Sequence, residues 1–449
     1  MNFLSCLFFF VIFLYANGAI IKNETLKWNV SVPIKYYVDS SAYYSYATYA
    51  FASIEKNTCL KFEQVGHKLE NENGINIHWN GDTCTIDFVG MKPKSGNTIY
   101  AFSSIEKNTC LKFTQVWQKL ENENGINIHW NADTCTIDFV GMKPKSGNTI
   151  YVSYDCYKNE VFIISLILQV LGLEDEHNRF DRDKYVLIYS DNIKPKLRQY
   201  FIRENTSETE TYGIEYDYGS IIHGNPTMYH HNGGKTIQAI GEHGYYYQKM
   251  IGQRRAVSFT EYKLINYHYC NSSCDNIYKE KNITKPTCLH GGYPHPNLAK
   301  CGTCLCPFKL YGTQCRQLQA PEHYCPYQER TATNKTELIE FRRVASCTTR
   351  ITAKDKGARV HLRIMALYLS DYAYCARGHS YFEVKYKRDK GLMGICFCNE
   401  IKDIEDSHDI YTEDGEALLI YVGYYLTQYA NAFYDQHWEI DFENDKEEL

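Results

Sequence analysis

The run "VFIISLILQVLGLEDEHNRFDRD", Val161 to Asp183, changes character at Gly172. Before it, apolar residues fall on nearly every side, a pattern that predicts a helix buried all round. Only Ser165 and Gln169 interrupt it, four residues apart and therefore on one helix face. After Gly172 the chain turns acidic and carries His177. A glycine there predicts the helix end, because the left-handed residue that closes a helix costs glycine no side-chain clash.

Strand patterns lie on either side. "GINIHW" and "TCTIDFVG" read as strands and occur twice, because residues 49–99 and 100–150 repeat in register. The copies differ only at Ala52/Ser103, Glu63/Thr114, Gly66/Trp117, His67/Gln118 and Gly81/Ala132. Tyr43 to Thr58 reads as one helix feeding the first copy. A single domain needs one set of these strands. The second set must be looped out, added to a sheet edge or left poorly packed. "DKYVLIYSDNI" then predicts a strand and turn, and "QRRAVSFTEYKLINYHYC" a helix.

From Cys274 the texture changes. Six cysteines follow in the segment ending at Cys315, with Gly and Pro throughout. Such a segment is too small for a hydrophobic core and needs covalent staples. Beyond it, "ARVHLRIMAL", "SYFEVKYKR" and "EALLIYVGYYL" predict antiparallel strands of a sandwich.

At 449 residues the chain is long enough for several domains. Its net charge is −5 and it has no Lys/Arg-rich run, so nucleic acid is not an expected partner. Residues 1–18 read as a secretory signal peptide, and no later segment is long enough to span a bilayer. Secretion into an oxidising compartment fits the 18 cysteines; an odd number remains once Cys6 leaves with the signal peptide. Six N-x-S/T sequons, at Asn23, Asn29, Asn205, Asn271, Asn282 and Asn334, are candidate glycosylation sites. The C-terminal "KEEL" resembles an endoplasmic-reticulum retrieval signal, although export is the expected route.

Several pieces in one order resemble the astacin family of secreted zinc metalloendopeptidases, in the nematode form with EGF-like and CUB-like domains. They are "WNVSVPIKYYV", "GLEDEHNRFDRDKYVLI", "EYDYGSIIH", "IGQRRAVSFTEYKLINYHYC" and "GGYPHPN" with the cysteines after it. The resemblance implies an α+β fold. A zincin domain of twisted sheet and long helices would cover 19–273, an EGF-like module 274–315 and a CUB-like β-sandwich 322–445.

Active members carry H-E-x-x-H-x-x-G-x-x-H, in which three His bind zinc and the Glu is general base. Laid on this chain, the ligand positions are Ser165, Gln169 and Asp175, the base position is Leu166, and only Gly172 is retained. A Ser hydroxyl and a Gln amide are poor zinc ligands, and Leu cannot accept a proton. Losing one oriented acid–base group commonly costs about 10²–10⁴-fold. The S-x-M-H-Y turn of the family reads Ser220, Ile221, Ile222, His223, Gly224 here, without its Met and Tyr. Glu176 holds the position whose carboxylate meets the mature N-terminus in the family.

The resemblance therefore implies a pseudoenzyme without a resident cofactor, where active members hold zinc. It would act by binding extracellular protein or peptide ligands through its cleft and accessory modules. The alternative is a metalloendopeptidase with an unconventional metal site around Asp175 and a nearby His. His177, His223, His230, His231 and His243 read as solvated loop histidines. The family's bridges map to Cys110–Cys270 and Cys135–Cys156, with Cys59 and Cys84 competing through the duplication. They map further to Cys274–Cys301, Cys288–Cys304, Cys306–Cys315 and Cys325–Cys347, and to Cys375–Cys396 with Cys398 as the competing partner.

Overall fold

The computed structural model describes residues 159–438 apart from breaks at 322–324, 327, 370–373, 399 and 402–407; before residue 159 it describes short pieces only. The predicted helix of residues 43–58 and the Asn23 and Asn29 sequons lie outside the described residues.

The "GINI" strands of the two copies feed different sheets, while Phe62 and Phe113 share one. In the first copy, Gly74–Ile77 runs parallel to Ile34–Val38, with Val38 opposite Ile77. In the second, Ile126–Trp130 runs parallel to Asn148–Val152, with Trp130 opposite Val152. Thr136–Ile137 closes that second sheet antiparallel. Phe62 and Phe113, equivalent positions of the two copies, pair with each other and both pair with Ile34. The second strand set thus enlarges the sheet structure.

Helix α1, Glu160–Val170, packs behind the second sheet. Asn159 caps it, its side-chain oxygen accepting from the Phe162 amide at 3.1 Å. Residues Ile163 to Leu168 and Val170 are buried, as apolarity on every side requires. The helix stops where Gly172 takes φ +99°. The Leu173 amide donates to Leu168 and the Gly172 amide to Gln169, the paired bonds of a Schellman close. A short helix α2, Gly244–Gln248, follows much later. The predicted terminal helix forms as α3, Phe259–Ile265, and continues through Cys270 in wider π-type turns.

The EGF-like segment holds a short helix, Asp275–Glu280, and two-stranded pairings such as Tyr293–Pro294 with Cys304–Leu305, and is stapled by Cys274–Cys301, Cys288–Cys304 and Cys306–Cys315. The CUB-like part is a sandwich of two sheets. One orders Glu329–Ala332, Ala345–Ala353, Glu416–Gly423, Tyr381–Lys385 and Ile395–Phe397; the other is built around Arg359–Tyr368 and Tyr429–His437. Tyr429–His437 alternates partly buried and buried residues along its length, the period of a strand with one face in a core. Cys325–Cys347 bridges this part. The expected Cys375–Cys396 bridge does not form: Cys375 pairs with Cys398, and Cys396 is the buried free thiol. Cys396 lies on Ile395–Phe397, paired into the sheet opposite Glu383, whereas Cys398 comes just after that strand.

The two larger parts are joined tightly. Met393 of the sandwich sits against Gly219, where a Cβ would collide with the Met393 side chain. The Met393 amide donates to Asp217 at 3.3 Å, and Lys263 reaches Asp389 at 2.7 Å. Among the described residues, no helix is long and apolar enough to cross a membrane.

Candidate functional site

Helix α1 carries Ser165, Leu166 and Gln169 to the floor of a cleft of about 170 Å³. Thr136 to Val140 wall one side, and Tyr200, Met228 and Tyr229 the other. Asp175 enters from the turn after Gly172, Ile222 from the turn below, and Arg254 from the strand-free segment before α3. The helix break therefore does bring position 175 back to the face that carries 165 and 169.

What stands at those positions is engaged in other bonds. The Ser165 hydroxyl donates back to the Phe162 carbonyl at 2.6 Å, within its own helix. The Gln169 amide donates to Asp175 Oδ1 at 3.0 Å. Leu166 is 4 % exposed and has no proton-accepting atom. Burial pushes the Asp175 carboxyl well above the usual carboxylate range, against the opposing pull of Arg254 and of the Gln169 bond.

His177 and His223 are buried, not solvated. The Gly224 amide donates to His177 Nδ1 at 3.1 Å, so the neutral ring carries its proton on Nε2. That Nε2 stands 4.0 Å from Asp175 Oδ2 and has no hydrogen-bond partner among the described residues. His223 is fixed between Tyr216 and the Gly224 carbonyl, each at 2.7 Å. Burial lowers both rings; His223 is held down to about 3. His243 is also buried, away from the cleft: its Nδ1 meets His408 Nε2 of the sandwich at 2.9 Å. His230 and His231 are exposed.

Glu176 is buried, accepting from the Asp217 amide at 2.8 Å and from Arg179 at 3.1 Å. Burial is the main reason its carboxyl is pushed up to about 8. Ser220 caps its own turn by accepting from the Ile222 amide. Gly224 has been closed in on: a Cβ there would meet Ile237 and Met228 at 2.8 Å and His177 at 3.1 Å. A Tyr side chain has no room at that position without displacing Met228 and Ile237.

Arg254 is a site residue that sequence reasoning does not single out, although it lies within the piece "IGQRRAVSFTEYKLINYHYC". Its Nη1 donates to the His223 carbonyl at 3.1 Å and to Gln253 at 2.9 Å, while Nε is buried without a partner among the described residues. Its guanidinium lies over the Phe162 ring, 5.6 Å from the centroid. The capping residue Asn159 holds its carbonyl at 2.9 Å.

These donors do not fit zinc. The two helix positions offer a hydroxyl and an amide already engaged in hydrogen bonds, and the nearest imidazole, with Nδ1 taken by the Gly224 amide, carries its proton on the Nε2 that lies 4.0 Å from Asp175. Among the described residues no group of three or more His, Cys, Asp or Glu is placed to hold a metal ion.

Cys135–Cys156 ties the strand wall of the cleft to the chain just before α1. Cys270 is disulfide-bonded; Cys110, expected as its partner, lies outside the described residues, as do Cys59 and Cys84. The sequon residues Asn205, Asn271, Asn282 and Asn334 are exposed.

Residues 93–270 match the model of the peptidase family described as Astacin. Zinc metalloproteinase nas-34 of Caenorhabditis elegans is 30% identical over 321 residues, 71% of this chain and 49% of that protein. Zinc metalloproteinase nas-30 of the same organism is 28% identical over 325 residues, 68% of this chain and 41% of that protein. The chain spans about half the length, or less, of these curated relatives. The zinc-protease high choriolytic enzyme 1 of Oryzias latipes superposes with a TM-score of 0.34 at 18% identity, over 56% of this chain and 94% of its own, too loosely to argue from.

Proposed function

We propose that this chain, which belongs to the astacin family, has given up the hydrolysis its family performs with zinc and works by binding. The observation that carries the reading is the donor set on α1 and its following turn: Ser165, Leu166, Gln169 and Asp175, bonded within the protein as described. Water activation needs a metal or a base, and this cleft offers Leu166 where the base belongs. The cleft itself keeps its walls, so a peptide segment is the ligand class that its shape and family favour. The EGF-like and CUB-like parts would add further protein-binding surface.

A rebuilt metal site around Asp175 is the competing reading. The tautomer of His177 weighs against it, because a ligand must present a lone pair to the ion.

Metal analysis of the purified full chain decides the matter. The expected result is far less than one zinc per chain and no cleavage of a casein substrate that 1,10-phenanthroline abolishes. One zinc per chain with chelator-sensitive cleavage sinks the proposal. Binding is tested by selecting displayed peptides on the full chain. Capture should be lost in Gln169→Trp, which fills the cleft; capture that survives places binding elsewhere.

Secretion through residues 1–18, with glycans on the exposed sequons, completes the proposal, because the disulfides require an oxidising compartment. Recovery of the chain from medium, with a mass shift on glycosidase treatment, checks it.

A further inference from the structure

A second, larger cleft of about 500 Å³ opens between the site-bearing half and the sandwich, away from α1. Its size falls in the range of roughly 300–1,000 Å³ typical of small-molecule sites, and junctions between domains are where such sites concentrate. Beneath it lie two stacked tyrosine pairs, joined edge to face between Tyr216 and Tyr218. Tyr185 stacks on Tyr216 with centroids 4.6 Å apart, and Tyr218 on Tyr247 at 4.0 Å. The Tyr247 hydroxyl then meets that of Tyr386, from the sandwich, at 2.9 Å. The floor is therefore rigid and contributed by both parts.

The rim is the opposite: aromatic rings alternate with polar groups that have no hydrogen-bond partner among the described residues. The Tyr185 and Tyr411 hydroxyls, the Glu242 carboxylate and the His437 ring make none, and all four residues are at least partly exposed. The fixed charges nearly cancel. Lys184 and Arg359 line the cleft with Glu242 and Glu413, and Lys387 is paired with Glu215 at 2.7 Å. A polyanion would meet two carboxylates here, and an apolar ligand would bury open hydroxyls without partners. A flat ring with an apolar face and a rim of hydroxyls satisfies both requirements.

We propose that this junction cleft binds a neutral oligosaccharide packed against Tyr185 and Tyr411, which are themselves backed by Tyr216 and His361 at 4.6 Å each, with its hydroxyls on Glu242 and His437. Because the cleft is shared between the two parts, a bound saccharide would also hold them together.

The test is calorimetric titration of the full chain with chitotriose, cellotriose and mannotriose, and with a heparin hexasaccharide as the anionic arm. At least one neutral trisaccharide should bind with a dissociation constant on the order of 1 mM or tighter. Tyr411→Ala should weaken it roughly tenfold, the loss of one aromatic platform. Glu242→Gln and His437→Ala, at exposed positions, should weaken it while leaving the melting curve unchanged, so a folding failure of the Tyr variant does not hide the result. Binding of none of the three trisaccharides, binding of the heparin fragment alone, or binding indifferent to all three variants overturns the proposal.

Discussion

The cleft and the sandwich both bury charge, and they bury it differently. In the sandwich, Glu383 accepts two bonds from Arg377 at 2.8 and 2.7 Å and one from the Gly394 amide at 2.9 Å, with Lys385 at 3.2 Å. The carboxyl is held down to about 2 although its burial alone would raise it. Around the cleft, Glu174 Oε2, His177 Nε2 and Arg254 Nε are all buried without a hydrogen-bond partner among the described residues. Unpaired buried polar groups are costly and rare. The bonds around Glu383 form a closed set, whereas these three atoms near the cleft have none.

That contrast predicts opposite responses to substitution. Glu383→Ala strands Arg377 and Lys385 in the core and should cost about 3–5 kcal/mol, enough to stop the chain from accumulating. The check is yield and thermal melting beside the wild type. If it melts normally, the sandwich network is not a unit. A second break goes through the frame. Ser165→His with Leu166→Glu, Gln169→His and Asp175→His should restore one zinc per chain by metal analysis, because Gly172 still delivers position 175 to the helix face. Cleavage should stay well below that of active relatives, since Gly224 has no space for a Tyr.

The junction gives an intermediate effect that pH exposes. His243 is held down to about 4 by burial and by Lys387, and His408 is lowered by burial and by His243, with Glu242 and Asp409 pulling the other way. Unfolded, both rings would take protons more readily. Their contribution is therefore complete above about pH 6.5 and is lost as pH falls toward 4. Melting temperature should drop over that window, and His243→Asn should flatten the drop; an unchanged slope would remove the pair from the account. The smallest effect belongs to Asp175→Asn. It keeps an acceptor for Gln169 and removes a carboxyl whose ionisation burial opposes, so stability at pH 7 should change by less than about 1 kcal/mol, measured by urea melts.

Much of this was legible along the chain. The four-residue spacing of Ser165 and Gln169 needs only helix geometry, and Gly172 needs only the cost of left-handed backbone. Both are local rules. The place of Arg254 was not legible: it falls inside the piece "IGQRRAVSFTEYKLINYHYC", yet nothing local says that it enters a cleft built from residues far earlier in the chain. Nor was the burial of His177 and His223: a histidine in a polar turn gives no sign of what will pack over it. The choice of Cys398 over Cys396 was not legible either: two residues apart, they share strand parity, and what separates them is that Cys396 lies within Ile395–Phe397 and Cys398 just beyond its end. His243 reads as a loop residue because its neighbour His408 lies in another part of the molecule.

The seat of Met393 on Gly219 bears on how the chain can be handled. Cutting after the EGF-like segment would uncover Gly219 and take the Met393 amide from Asp217, whose remaining partners are Ser258, Thr260 and Gly219, directly upstream of the turn that carries Ser220 to Gly224. A shortened chain ending there should prove sticky and poorly behaved, while one that retains the sandwich should not. In a cell, a protease nicking the link between the two would not release two tidy modules; it would spoil the larger one.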